Sequence, residues 1–391
     1  MRTSPLRQTL AARGATFRTR YGVEVVASMG DWKAEYAAVR DAVALTDFSF
    51  MHKYRVSEAQ GIDWLEPLVA GNVAKIRFGR LLHTFLADAE GFLIADAYVA
   101  NNDDELFFLC ESIVPDADLE RALGAPGCPA ENLTDSHVML SLDGFRAWEV
   151  ARDLFGADVL GLPYLSIETY PFEGGSVRLF RAGKTSEFGY LLMAPAEISE
   201  ALFRRVFEGV EKCGGRICGV DVHDSLRLEG RFFNIHAEGL RVRDPLPIGL
   251  QWMIDFDKGS FSGAGPIRAR RESGLRQKVV GVSAEPSGGD LGSGHLGSGD
   301  LGSGDLRTGN LRTGDLRWGA RVYHEDREIG EVVAQGFSCV LGRPLGLAVL
   351  PIELAYAGLE FRLGSPSGSV VHTISMPPIM PRSLRVKLDE V

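Results

Sequence analysis

Twice along this chain, short apolar runs joined by a turn are flanked by stretches of helical periodicity, and beyond residue 319 the helical stretches stop. That order points to an α+β chain: two α+β subdomains of similar build, then an all-β one. In the first pass, residues 31–45 put Tyr36, Val39 and Val43 near one helical face behind a candidate N-cap at Asp31, and 54–56 reads as a strand. Trp64, Leu65, Leu68 and Val69 mark a second helix that Gly71-Asn72 can end, since both residues tolerate a left-handed stop. A hairpin system follows, then a helix over 114–123. The second pass has strands at 138–142, 177–181 and 189–193, with helices at 147–155 and 198–212 and a turn through Gly183-Lys184-Thr185-Ser186. Residues 319–363 give short strands fit for a small barrel, and the tail from Ser375 reads as extended.

The hairpin system centres on Asp88 to Val99. Asp88, Glu90 and Gly91 read as its turn, and the apolar run after them as a strand returning from Leu81–Leu86 and handing on to Glu105–Cys110. Asp96 sits inside that strand. A lone carboxylate there is costly if it faces a core, so either it lies on the wet face of a half-buried strand or something makes use of it. Residues 219–234 are the other dense polar stretch, where Asp221 or Asp224 can cap a short helix ending at Gly230. Arg227 and Glu229 on that helix read equally well as surface charges.

The net charge of −10 is spread along the 391 residues, which argues against a protein built to bind nucleic-acid phosphates. Five cysteines without a Cys-x-x-Cys pair suggest neither a disulfide framework nor a zinc site, and point to a reduced, cytoplasmic protein. No signal-peptide core and no apolar run of membrane-spanning length is present, so no membrane partner is expected. From Asp290 to Gly319 the sequence repeats every five residues, as in Asp-Leu-Gly-Ser-Gly and Asp-Leu-Arg-Thr-Gly; its glycine content favours a flexible insertion over a stacked coil. Gly183 to Glu187 lacks the glycine spacing of a phosphate loop, and the eight histidines form no catalytic triad or metal spacing.

Taken in order, several short segments resemble the glycine cleavage system T protein, the tetrahydrofolate-dependent aminomethyltransferase family. They are Arg2-Thr3-Ser4-Pro5-Leu6, Asp47-Phe48-Ser49-Phe50-Met51, Gly91 to Val99, Thr185 to Tyr190, Asp224 to Gly230 and Gly249-Leu250-Gln251-Trp252. The resemblance implies a three-lobed ring: two α+β lobes within residues 1–285, the Gly-rich insertion at 286–318, and a C-terminal β-barrel over 319–391. A central channel would hold the folate, and the family's catalytic carboxylate maps onto Asp96, which would orient the folate and assist proton movement. The implied partners are a small-molecule one-carbon donor and a carrier protein, with no metal.

The chain departs from that pattern at three places. The Glu that grips the pterin edge is replaced by Leu191, an Arg before the Asp-Ser-Leu-Arg run by His223, and an Asn after the catalytic hairpin by Glu111. Glu111 is therefore expected to replace the lost carboxylate, and His223 to act as a weaker, pH-sensitive donor. Tyr98, Tyr190 and Trp252 are the expected aromatic contacts, although such residues serve a core more often than a channel. An aminomethyl or methyl transferase acting on an amine, methyl ether or methylthio compound follows, the competing reading being a non-catalytic folate-binding or scaffold protein.

Overall fold

The chain reverses at Gly91, whose φ of +77° only glycine adopts freely. A side chain there would also press against the Gly263 carbonyl at 2.9 Å. In the computed structural model, which describes residues 1–20, 22–125, 127–285 and 316–388, this turn joins the strands Leu81–Ala87 and Leu93–Asn102, and Glu105–Ser112 follows as the third strand. They form one side of a five-stranded sheet completed by His52–Ser57 and Glu131–Asn132. The repeat at 286–315 lies outside the described residues.

A second sheet of six strands runs in the order Ile167–Phe172, Gly175–Phe180, Gly189–Pro195, His137–Asp143, Ala44–Asp47, Arg216–Ile217. The chain therefore builds the two lobes alternately, placing Ala44–Asp47 in one before making the hairpins of the other. Helices Ala147–Phe155 and Ser199–Lys212 cover one face of the six-stranded sheet, where Trp148, Val150, Leu202, Phe203 and Val206 join Leu140, Leu142, Tyr190 and Leu192 in one core. Helix Glu58–Leu65 covers the five-stranded sheet through Trp64 and Leu65 packed with Ala95, Ala97 and Val99. The two uncovered faces meet each other: Tyr98, Phe107 and Leu109 pack with Met139, Phe180, Leu191 and Met193. Strand Leu93–Asn102 is consequently buried on both faces, which removes the wet-face reading of Asp96.

The third lobe is a closed six-stranded barrel. It recruits Gln277–Ala284 from before the repeat, pairing that strand with both Arg343–Pro351 and Ser369–Ile374. The barrel thus begins well ahead of residue 319, where the short-strand pattern and the resemblance put its start, because an insertion between two strands of a sheet does not prevent their pairing. The tail is not simply extended, for Arg382–Arg385 makes a turn of 3₁₀ helix and Arg382 Nη2 donates to the Arg40 carbonyl at 2.9 Å.

Asp31 caps helix Trp32–Asp41 as expected, accepting from Ala34 N at 3.0 Å. Helix Val220–Gly230 has no aspartate cap. It begins at Gly219, where a Cβ would lie 2.0 Å from the Ala27 carbonyl oxygen, and the Gly219 N–H is taken by Glu35 Oε2 at 2.8 Å. Arg40 then joins three elements, donating to Glu187 Oε1 at 2.7 Å, Glu229 Oε2 at 2.6 Å and the Thr185 carbonyl at 3.0 Å. Arg40 and Glu229 are therefore buried struts rather than surface charges, and they fix the loop that carries Lys184.

Candidate active site

Strand pairing sets the centre of the molecule. Asp96 lies opposite Glu111 on one side and Phe85 on the other, while His83 lies opposite Tyr98. With side chains alternating along each strand, Asp96, Tyr98, Glu111 and His83 all project toward the facing sheet. From that sheet the Gly183–Ser186 turn sends Lys184 between the two acids: its ammonium donates to Asp96 Oδ2 and, at 2.8 Å, to Glu111 Oε1. His83 Nε2 meets the other Asp96 oxygen at 2.7 Å. Arg227, from helix Val220–Gly230, donates to Glu111 Oε1 at 2.8 Å, and His236 Nε2 lies 3.4 Å from Glu111 Oε2.

All of these groups are buried, Asp96 to 1% exposure and Glu111 to 2%. Burial alone pushes a carboxyl up, but the nearby basic groups and hydrogen-bond donors outweigh it. Lys184 and then His83 hold Asp96 below the usual carboxylate range. Arg227, Lys184 and His236 hold Glu111 well below it. The Lys184 ammonium also stands 5.4 Å from the centre of the Tyr98 ring, whose hydroxyl burial raises well above its ordinary pKa.

Beside this cluster is a narrow cavity of about 10 Å³, room for roughly one water, lined by Phe48, Met51, Tyr98, Leu191, Lys184 and Asp143 among others. Asp143 is the third acid there, and its setting differs: burial raises its pKa to about 6, and its partners are the hydroxyls of Ser141 and, at 3.3 Å, Thr185.

The expected site residues do not all converge. Asp96, Tyr98 and Glu111 do. His223 lines the cavity, but burial first and Arg227 second depress it to about 3, so it is neutral at physiological pH rather than a pH-sensitive donor, and its Nε2 pairs with Thr46 Oγ1 at 2.9 Å. Tyr190 points the other way, into the core under the helices, with Arg181 over its ring at 4.9 Å, because it alternates with Leu191. Trp252 is 65% exposed and lines a separate open groove of about 760 Å³ with Lys75, Arg77, Arg80 and Arg271. His83 links groove and cluster, its ring packing edge-on against Trp252 at 5.3 Å.

Sequence reasoning missed Lys184, His83, Asp143 and His236. His83 was within reach, since register with Tyr98 follows from the hairpin; Lys184 arrives from another lobe, and no local pattern announces it. Among the described residues no group of three or more His, Cys, Asp or Glu side chains is arranged to hold a metal ion, and no helix is long and apolar enough to cross a membrane.

Comparison with known proteins gives one consistent result. The model of the GCVT N-terminal domain matches residues 6–258. The aminomethyltransferase of Chlorobaculum tepidum is 28% identical over 335 residues, covering 83% of this chain and 84% of that protein. That of Thermoanaerobacter sp. strain X514 is 24% identical over 338 residues, covering 84% of each. The crystal structure of the glycine cleavage system aminomethyltransferase T from Bartonella henselae superposes with a TM-score of 0.77 over 97% of this chain and 99% of that one, at 19% identity, a likeness of fold. On the matched two thirds of its length, this chain belongs to the glycine cleavage T-protein (GCVT) family.

Proposed function

We propose that this chain is a tetrahydrofolate-dependent one-carbon transferase, carrying a methyl or aminomethyl unit from a small-molecule donor. The observation that supports this reading most is Asp96: a carboxylate on a strand buried on both faces, kept ionised where His83 from its own sheet and Lys184 from the facing one converge.

The side chains at hand suit a reduced folate in kind. Tyr98 offers an aromatic face, Phe48, Met51 and Leu191 an apolar wall, and Asp143 an acceptor with no cation of its own. The groove at Trp252 carries four basic residues against two acids, Asp255 and Asp257, with Lys75 paired to Asp255, so Arg77, Arg80 and Arg271 are the groups that suit an anionic glutamyl tail. Room is a different matter. A cavity for one water must open to admit a flat heterocycle, and in this reading the lining side chain that moves is Lys184, which swings out from between the two acids. Bound tetrahydrofolate would supply the secondary amine that takes the one-carbon unit. The protein's part is to place that nitrogen and control its proton.

Asp96 is a poor proton acceptor while Lys184 holds its pKa down. Withdrawal of Lys184 removes the strongest of the influences that lower it, so Asp96 becomes more basic at the step that needs a base, with His83 keeping its carboxylate oriented. Glu111 retains Arg227 throughout and stays ionised. The five cysteines are all free thiols, in keeping with a reducing cytoplasm. A carrier protein as donor partner is part of the same reading.

A second reading has a specific observation behind it. Both oxygens of Asp96 are already satisfied from within the chain, as befits a closed, non-catalytic folate-binding or scaffold protein. Transfer assays with tetrahydrofolate and a panel of methylated and aminomethylated donors separate the two. Turnover that falls at least 100-fold in Asp96→Asn supports the enzyme. Equal turnover in wild type and variant removes Asp96 from the chemistry, and folate binding without turnover favours the binding protein.

A further inference from the structure

Asp143 ends the strand His137–Asp143, where its Cα partners are Gly189 and Ala44, and it shares a face with Ser141, which stands opposite Leu191. Ser141, Asp143 and Leu191 line the same cavity as Tyr98, Glu111 and Lys184.

The chain makes room for this carboxyl with two glycines. A Cβ on Gly183 would lie 2.9 Å from Asp143 Oδ1 and 2.9 Å from the Gly189 Cα; one on Gly189 would lie 2.6 Å from the Gly183 Cα. Either side chain would therefore push into the space that the carboxyl occupies.

A buried carboxylate presents about four lone-pair positions and is expensive to leave short of partners. Asp96, Glu111 and Glu35 draw on stronger partners. Asp96 and Glu111 have cations, and Glu35, which has no close cation, accepts from Ser28 Oγ at 2.6 Å, Met29 N at 2.8 Å and Gly219 N at 2.8 Å. Asp143 has two hydroxyls, one of them at 3.3 Å, and no basic nitrogen within 4.0 Å among the described residues. It lines the cavity that Tyr98 walls.

We propose that Asp143 is a ligand-binding residue that takes the N–H-bearing edge of a flat heterocycle, two adjacent donors of the 2-amino-lactam kind carried by a pterin. This deepens the folate reading and rests on it. Two N–H donors from the ligand complete the carboxylate, which is then ionised in the complex. The expected acid at Glu111 already gives Oε1 to Lys184 and Arg227, with His236 3.4 Å from its Oε2, so its charge is met from within the chain. The raised pKa of Asp143, about 6, is what a carboxyl awaiting donors shows.

The test is a ligand–residue cycle by calorimetry at pH 7.5 under anaerobic conditions. Tetrahydrofolate and its 2-desamino-2-methyl analogue are each titrated into wild type and Asp143→Asn, with thermal melts confirming that both proteins are folded. Wild type is expected to bind tetrahydrofolate about 10- to 100-fold more tightly than the analogue, and Asp143→Asn to lose most of that preference. If Asp143→Asn keeps the full preference, or binds tetrahydrofolate within twofold of wild type, Asp143 does not touch that edge and the inference falls while the folate reading stands. If folded wild type binds neither compound, both fall together.

Discussion

Asp96 and Asp143 are both about 1% exposed, one bonded to Lys184 and the other lining the cavity beside it, yet their pKa values move in opposite directions. Burial is the largest influence on each and acts the same way on both. The difference lies in what faces them: Lys184 and His83 for Asp96, two hydroxyls and the weaker influence of Arg227 for Asp143. The lesson is that in this interior the placement of cations, not depth, decides whether an acid's pKa falls below its ordinary value or rises above it. One of the two is finished by the protein and the other is left for something else to finish.

The comparison breaks most visibly at Lys184. Lys184→Met keeps a similar volume while removing the cation shared by Asp96 and Glu111, leaving buried charge poorly compensated. The expected cost is about 3–5 kcal/mol, read by chemical denaturation at pH 7. A cost below about 1 kcal/mol would show that Arg227 and His83 suffice and that Lys184 does not set the state of Asp96.

Opposite signs in pH dependence follow. Asp96 and Glu111 are depressed in the folded protein, so the stability they lend is present above the unfolded carboxylate pKa, near 4, and is lost as pH falls below it. Asp143 is raised from 3.8 to about 6, so between those values the folded state holds a proton that the unfolded state has lost, and stability declines as pH rises through that window. Asp143→Asn should therefore be more stable than wild type at pH 7, by on the order of 2 kcal/mol, with the advantage gone near pH 4. Melting curves of the two proteins at pH 4, 5, 6 and 7 check both sign and window. A variant less stable than wild type at pH 7 would mean that the carboxylate has support not accounted for by its two hydroxyls.

Much of the architecture was legible because local rules carry it. Gly91 announced the hairpin, Asp31 the helix start, and the order of helices and strands announced two α+β lobes before a barrel. What escaped was whatever depended on a partner distant in sequence. The barrel's first strand, Gln277–Ala284, is separated from its neighbours by the repeat, so a composition change looked like a domain boundary. The resemblance located Asp96, and the hairpin register puts Tyr98 and Glu111 on its face. The same alternation sends Tyr190 into the opposite core while Leu191 takes the cavity, a distinction that adjacency in sequence hides. Lys184 reaches the acids from 73 and 88 residues away, and nothing in its own turn shows what it will meet. His223 looked pH-sensitive from its type alone; burial and Arg227 make it neutral instead.

Trp252 sharpens the contrast from outside. It touches His83, the residue that holds the second oxygen of Asp96, but it is 65% exposed. If cations set the charge state of the centre, Trp252→Ala should alter stability by no more than about 0.5 kcal/mol and leave the acid limb of the pH–stability curve where it is in wild type, since His83 keeps its bond to Asp96. Affinity for tetrahydrofolate should still fall severalfold, because the groove loses its largest apolar surface. A Trp252→Ala protein whose acid limb moved upward in pH would show that packing against His83 helps hold Asp96 ionised. Control of that carboxylate would then be shared between the buried lysine and the open groove, and a ligand entering the groove would act on Asp96 before reaching it.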